Sequence, residues 1–353
     1  MICVLSTLFS KKIKIFSDIF SFGLKIQNAY DIIKLYKGDE TMKKSKIAIG
    51  AGVAGSAAVA TMGAVCYKIA CVSKRNKSPE KDPKRILRAE LRKKNNGFLY
   101  SHNPEDLEIL TPDNLRLRAW FVPAENESKR FVICVHGYNC NGPDECSHLF
   151  PFYRYDMGCN FLLPDLRGHG RSDGKLIGYG TWDSLDIKLW IDYLVERFGE
   201  DIQIILHGIS MGAATVMMVN NTSPREQVKV IVEDCGFTDA LDVVTAKIKS
   251  MNLKHTAKFI AKAGNVYCRA LSKYDLKKDA SPLGTMANAK NPVLFIHGEK
   301  DALVPFEMCG KLYEACPAPK DIFTVPDAEH AYSYYDAKEE YDAKVKAFIE
   351  KYI

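Results

Sequence analysis

Between residues 130 and 326 the chain repeats one alternation: a short, almost continuously apolar run, then a stretch with helical spacing. The runs are RFVICVHG (130–137), NFLLPDLRGHG (160–170), IQIILHG (202–208), VKVIVED (228–234), PVLFIHG (292–298) and DIFTVP (321–326). Strands that are apolar at nearly every position, rather than at alternate ones, must be covered on both faces. Helical patterns at 181–199, from 211, and over roughly 336–352 supply that cover. The pattern predicts an α/β fold: a mostly parallel central sheet with helices on both faces. LEILTPDNLRLRAWFVPA (107–124) adds two strands joined at Pro112-Asp113-Asn114. At 353 residues and 47% hydrophobic, the chain is long enough for one large domain with extra segments.

The first 98 residues have a different texture. Residues 1–46 read as a leader or upstream extension, and Met42 opens MKKSKIAIG, a basic start before an apolar run. From Ile47 to Tyr67 there are 21 residues without a charge, and Ile69 to Val72 are apolar again. About 20 such residues can cross a bilayer as a helix, so 47–72 is expected to be a single transmembrane anchor. Residues 73–98 are expected to be a basic linker or an exposed helix. Ser73 to Lys94 carries ten Lys/Arg against three acidic residues, an excess larger than the +6 of the whole chain. A basic cluster beside an apolar run suits anionic headgroups; a solvated linker is the plainer alternative. The heavier basic flank would put the C-terminal domain on the cytoplasmic side of the cell membrane. The eleven cysteines, with no C-x-x-C, agree with free thiols in a reducing compartment. No Cys/His spacing resembles a zinc site.

Gly50-Ala51-Gly52-Val53-Ala54-Gly55 matches G-x-G-x-x-G. A dinucleotide fold needs a strand before that motif and an acidic residue about 20 residues after it. Here KIAI is short and no acid stands at that distance. No nucleotide cofactor is therefore expected. The small residues suit close helix–helix contact in lipid. A cleaved signal peptide is the rival reading, although its apolar region would be long.

Gly208-Ile209-Ser210-Met211-Gly212 falls between a strand and a helix. A serine on such a turn projects its hydroxyl above the sheet, and the two glycines let the turn pass close to its neighbours. Ser210 is the candidate nucleophile. A serine needs a base, and the order Ser, acid, His puts it after the last strand, at His330 in PDAEHAY. His136, His207 and His297 close strands and are expected to pack, while His169 is expected to shape a loop. In FIHGEKDALVP the acid is read as Asp301, with Glu299 and then Asp234 as alternatives. The backbone N–H groups of Tyr138, in VHGYN, and Met211 are the expected oxyanion hole.

These segments carry a resemblance. VHGYN, LLPDLRGHGRSDG, HGISMGAAT, DCGFTD, FIHGEKDALVPFE and DAEHAYSY, in that order over about 99–353, resemble the α/β-hydrolase superfamily. Within it they resemble the serine-aminopeptidase-like and monoacylglycerol-lipase-like bacterial hydrolases with an N-terminal membrane anchor. Ala213 stands where many relatives have glycine. The resemblance implies an α/β-hydrolase domain over 99–353, with Ser210, His330 and Asp301 as its triad. A small helical cap is expected at 237–275, where Lys247, Lys249, Lys254, Lys258, Lys262 and Arg269 face a single acid, Asp242. The cap would shape an acyl pocket, rest on a membrane, or simply present a solvated lysine face.

The expected activity is cleavage of a small-molecule acyl ester through an acyl-enzyme. No metal, cofactor or nucleic acid is required, and the oligomeric state is open. Amide hydrolysis is the alternative, as is a non-catalytic scaffold of the same fold.

Overall fold

The computed structural model describes residues 60–73 and 83–353, apart from Ser223. Eight strands form one sheet in the order β1-β2-β4-β3-β5-β6-β7-β8. They are β1 (Glu105–Leu110), β2 (Arg116–Val122), β3 (Arg130–Val135), β4 (Asn160–Pro164), β5 (Gln203–Ile209), β6 (Val228–Asp234), β7 (Val293–Gly298) and β8 (Lys320–Val325). β2 runs antiparallel to both its neighbours, and the six strands from β4 to β8 are parallel.

The continuous apolar runs are explained by two cores. Phe131, Ile133 and Val135 of β3 join Ile204 and Leu206 of β5 in the core on one face. Val132 and Cys134 join Ile205 and Ile209 in the core on the other. The helices that matter are α1 (60–70), α2 (Pro83–Tyr100), α3 (Gly142–Cys146), α4 (Asp183–Phe198), α5 (Met211–Asn221), α6 (Ala240–Lys249), α7 (Ala257–Tyr267), α8 (Pro282–Thr285), α9 (Glu307–Ala315), α10 (Ser333–Asp336) and α11 (Lys338–Ile349). α4 and α5 help cover the first face, and Tyr341, Val345 and Phe348 of α11 cover the second. α6 and α7, with the turn Cys268–Ser272 after them, make up most of the segment between β6 and β7 expected as a cap.

The expected membrane anchor is corrected over the part that the structure describes. α1 and the residues after it, through Val72, lie against the protein: Cys71 is fully buried, and Tyr67 and Ala70 are nearly so. α1 packs on the cap helix α7. A Cβ on Gly63 would come within 2.7 Å of the Ala263 Cβ, and one on Gly264 within 2.8 Å of the Cys66 sulfur. Tyr67 shares a hydrogen bond with Ser272 at 2.8 Å. The small residues that would suit helix contact in lipid thus make a helix contact inside the protein. No helix among the described residues is long and apolar enough to cross a membrane. Residues 47–59 of the expected anchor, the glycine motif and the leader 1–46 lie outside the described residues.

The segment 73–98, expected as a linker or an exposed helix, contains most of α2, an 18-residue helix. Its charges have a specific partner. Arg88 and Arg92 both donate to Glu145 Oε1 of α3, at 2.8 and 3.1 Å. Asn96 donates to Asp144 at 2.9 Å and accepts from Ser147 at 2.6 Å. Two of the cations read as facing lipid or solvent are therefore bound to a buried carboxylate. Burial alone would raise the Glu145 carboxyl, but Arg92 and Arg88 hold it well below the usual carboxylate range. Removing one member of such a set strands the others in a poor solvent. Glu145→Ala is expected to lower the unfolding free energy by about 3–5 kcal/mol, read by urea denaturation. Arg116→Ala, whose pair with Asp173 is exposed, should leave the urea midpoint almost unchanged.

Candidate active site

Four loops after parallel strands converge above the sheet. β3 and β5 pair Val135 with Gly208, which brings the loop after β3 beside the β5–α5 turn. β7 lies between β6 and β8, so the loops after β7 and β8 are neighbours. Ligand sites of open α/β sheets lie at these carboxyl ends.

Ser210 occupies the turn from β5 to α5. Its backbone has φ 59° and ψ −113°, a conformation that a non-glycine residue adopts only under constraint. The constraint is visible. The Ser210 N–H donates to the Asp234 carbonyl at 2.8 Å. Its carbonyl accepts from Ala214 at 3.1 Å. The flanking glycines are obligatory: a Cβ on Gly208 would run into the Gly212 carbonyl, and one on Gly212 into the Val135 carbonyl.

His330 and Asp301 meet this serine. His330 Nε2 lies 2.8 Å from Ser210 Oγ, and His330 Nδ1 lies 2.6 Å from Asp301 Oδ2. The carboxylate accepts from Nδ1–H, which leaves Nε2 to accept from the serine hydroxyl. Asp301 Oδ1 accepts from the N–H groups of Leu303 and Val304, each at 2.8 Å. Burial would raise Asp301, but the charge of His330 and hydrogen bonds from His297 and His330 hold it well below the usual range. Burial would lower His330, yet Asp301 outweighs it and raises the imidazole above its ordinary value.

The other candidates for the acid are otherwise engaged. Glu299 is exposed to solvent. Asp234 is buried and accepts from the Tyr341 hydroxyl at 3.1 Å. It ends a chain in which Tyr341 meets His207 Nε2 at 3.0 Å and Tyr153 meets His207 Nδ1 at 2.8 Å. Burial pushes the Asp234 carboxyl up to about 6 and the His207 imidazole down to about 3. His136, His169 and His297 are buried, as packing and loop-shaping roles require. His136 Nε2 accepts from the Leu166 N–H at 3.0 Å, and His169 Nε2 from that of Asn139 at 3.1 Å. His297 donates to the Val304 carbonyl at 2.9 Å, which steadies the loop bearing Asp301.

Cys235 brings its sulfur within 4.8 Å of ligand atoms of Asp301 and His330. The Asp301 and His330 atoms of that set already meet each other at 2.6 Å, and the other ring nitrogen meets Ser210 at 2.8 Å. The set does not fit a metal centre.

Tyr138 follows Gly137 in the loop after β3, and Met211 follows Ser210. Met211 is the first residue of α5, so its amide has no helical acceptor. Gly137 lies tight against the turn, where a Cβ would sit 3.3 Å from that of Ser210. Two features near the site were invisible to local reasoning. The Tyr138 hydroxyl donates to the Ile69 carbonyl at 2.8 Å and its ring stacks on Tyr179, whose hydroxyl donates to Ala70 at 3.0 Å. α1 thereby clasps the side chain of the oxyanion candidate. On the other side, the Arg88 guanidinium lies 4.7 Å from the ring centre of Tyr332, at the end of the loop that carries His330, and 5.1 Å from that of Tyr335 in α10.

The model of the prolyl oligopeptidase family matches residues 148–353, a span that includes Ser210, Asp301 and His330. The uncharacterized protein YqkD of Bacillus subtilis is 27% identical over 317 residues, covering 88% of this chain and 98% of its own. Lysophosphatidylserine lipase ABHD12 of Danio rerio is 23% identical over 206 residues, covering 58% of this chain and 51% of its own. Among solved structures, the Pyrococcus furiosus esterase Pf2001 superposes with a TM-score of 0.61 at 22% identity, over 80% of this chain and 98% of the esterase. These likenesses establish the α/β-hydrolase fold.

Proposed function

The chain belongs to the prolyl oligopeptidase family, and from that membership and the contacts around Ser210 we propose that it is a serine hydrolase of carboxylic esters. The observation that carries the reading is the continuous hydrogen-bonded line from Asp301 through His330 to Ser210. In this reading His330 takes the Ser210 proton as Oγ attacks the acyl carbonyl, and Asp301 stabilises the imidazolium that forms. The N–H groups of Tyr138 and Met211 hold the oxyanion, each contributing about 3 kcal/mol to the transition state. His330 then gives its proton to the leaving alkoxide. Water, activated by the same imidazole, releases the acyl group.

A lipid-like acyl ester is the preferred substrate class. The relative named as a lysophosphatidylserine lipase supports it. So does the apolar character of α1, which reaches the Tyr138 side chain through Ile69. Amide cleavage is the second reading, favoured by the peptidase family to which the chain belongs. The two separate in one experiment: kcat/KM on p-nitrophenyl esters of increasing acyl length against matched p-nitroanilides. A maximum among the medium-chain esters supports the preferred reading. Anilide turnover exceeding ester turnover at every length would replace it with the second.

A further inference from the structure

The cap carries an outer face that neither the core nor the Ser210 site uses. Between Asp242 and Asp275 the chain holds seven Lys/Arg and no acidic residue. α7 turns Ala257, Ile260, Ala261 and Gly264 inward. The opposite side and the turn after it leave Phe259 70% exposed, Val266 62% and Leu271 59%. Residues 259, 262 and 266 share one stripe of the helix. Lys258 and Lys262 are exposed along it, with Lys254 before the helix and Lys273 just beyond the turn. These four lysines form no ion pair among the described residues, whereas Arg269 lies 3.6 Å from Asp275.

Single exposed apolar residues are ordinary. Three large ones within a field of unpaired cations are a different surface. In water the apolar groups stay wet and the cations repel one another. A bilayer interface with anionic lipids relieves both at once, by seating apolar side chains at the acyl boundary and ammonium groups among phosphates. Nucleic acid would satisfy the charges but leave the aliphatic groups exposed. The course of the chain also favours lipid. The uncharged run Ile47 to Val59 joins α1 at Ala60, and α1 packs directly on α7 at Ala263 and Gly264.

We propose that the outer face of α7 and its following turn is a docking surface for an anionic membrane. Phe259, Val266 and Leu271 enter the interface, and Lys258, Lys262 and Lys273 contact headgroup phosphates. The proposal does not depend on the chemistry at Ser210. It holds the cap against the lipid whatever the substrate is.

The test uses the full chain with vesicles of phosphatidylcholine alone or with about one third phosphatidylglycerol. The indole added by Phe259→Trp should be quenched by brominated acyl chains in the anionic vesicles and much less in the neutral ones. Lys258→Glu, Lys262→Glu and Lys273→Glu together should lower partition onto anionic vesicles by about a hundredfold. The replaced side chains are exposed, so melting temperature and p-nitrophenyl acetate turnover should match the parent. An added indole that stays unquenched, even on a chain that floats with the vesicles, overturns the proposal and assigns binding to the upstream run. Equal quenching in neutral and anionic vesicles overturns it as well.

Discussion

Ser210→Ala is expected to abolish labelling by a fluorophosphonate and to reduce kcat on p-nitrophenyl esters by about 10⁵–10⁶-fold, with a melting temperature close to that of the parent. The size of the effect follows from the arrangement. The nucleophile and base act as a unit, so removing either loses nearly the whole covalent route. His330→Ala should therefore cost about as much, and the double variant little more. The residual rate would come from substrate binding and the Tyr138 and Met211 amides, which the substitution leaves alone. Stability should not fall, because the Ser210 conformation is imposed by backbone contacts and by the two flanking glycines, not by the hydroxyl. Alanine at φ 59° keeps a Cβ, as serine does. Labelling that persists in Ser210→Ala would move the nucleophile elsewhere. A folded parent that neither labels nor turns over would favour the non-catalytic scaffold.

The hydrolase domain was legible because its signals are local. Most of the parallel strands are apolar along nearly their whole length, and the runs through β3, β5 and β7 each end in His-Gly. Ser210, Asp301 and His330 come from three loops that follow strands, and the order of the chain already ranks them. The choice among Asp301, Glu299 and Asp234 was harder, since all three lie at or just beyond strand ends. Geometry separates them: Glu299 points to solvent, Asp234 is held by Tyr341, and Asp301 reaches His330. Where the structure describes them, the N-terminal segments pack against the protein, which composition does not reveal for a physical reason. Composition reports that a surface is small and apolar, not what covers it. Gly63 and Cys66 would suit a helix in lipid, yet the helix they meet is α7, far away in sequence. The same holds for α2. Its arginines looked like a solvated or lipid-facing run because Glu145, which neutralises them, lies 57 and 53 residues further along the chain.

Asp301→Asn should lower kcat by about 10⁴-fold and shift the pH profile of what remains. The amide nitrogen of asparagine would face His330 Nδ1 as a donor. That favours the tautomer with its proton on Nε2, the atom that has to accept from Ser210. The imidazolium formed during attack would also lose its counter-charge. The direction of the pH effect follows from the groups around His330. Burial and Arg88 lower its pKa, and Asp301 more than offsets them. The base works only when neutral, so in the parent kcat/KM should rise with pH through a value above about 6.5, then level off. With Asp301 gone the lowering influences remain, and the acid limb should move to lower pH even as the plateau collapses. Stability carries the matching signs. His330, raised in the folded state, stabilises it below its unfolded pKa of about 6.5, and that contribution fades as pH rises through the folded value. Asp301, depressed in the folded state, stabilises it above about pH 4, and its contribution fades as pH falls. The pair should therefore support the fold most between about pH 4 and 6.5, below the range where catalysis is fastest. Urea titrations of parent and Asp301→Asn across that window, beside the kinetic profiles, test both halves. An unmoved acid limb in Asp301→Asn would mean that His330 is not the group being titrated.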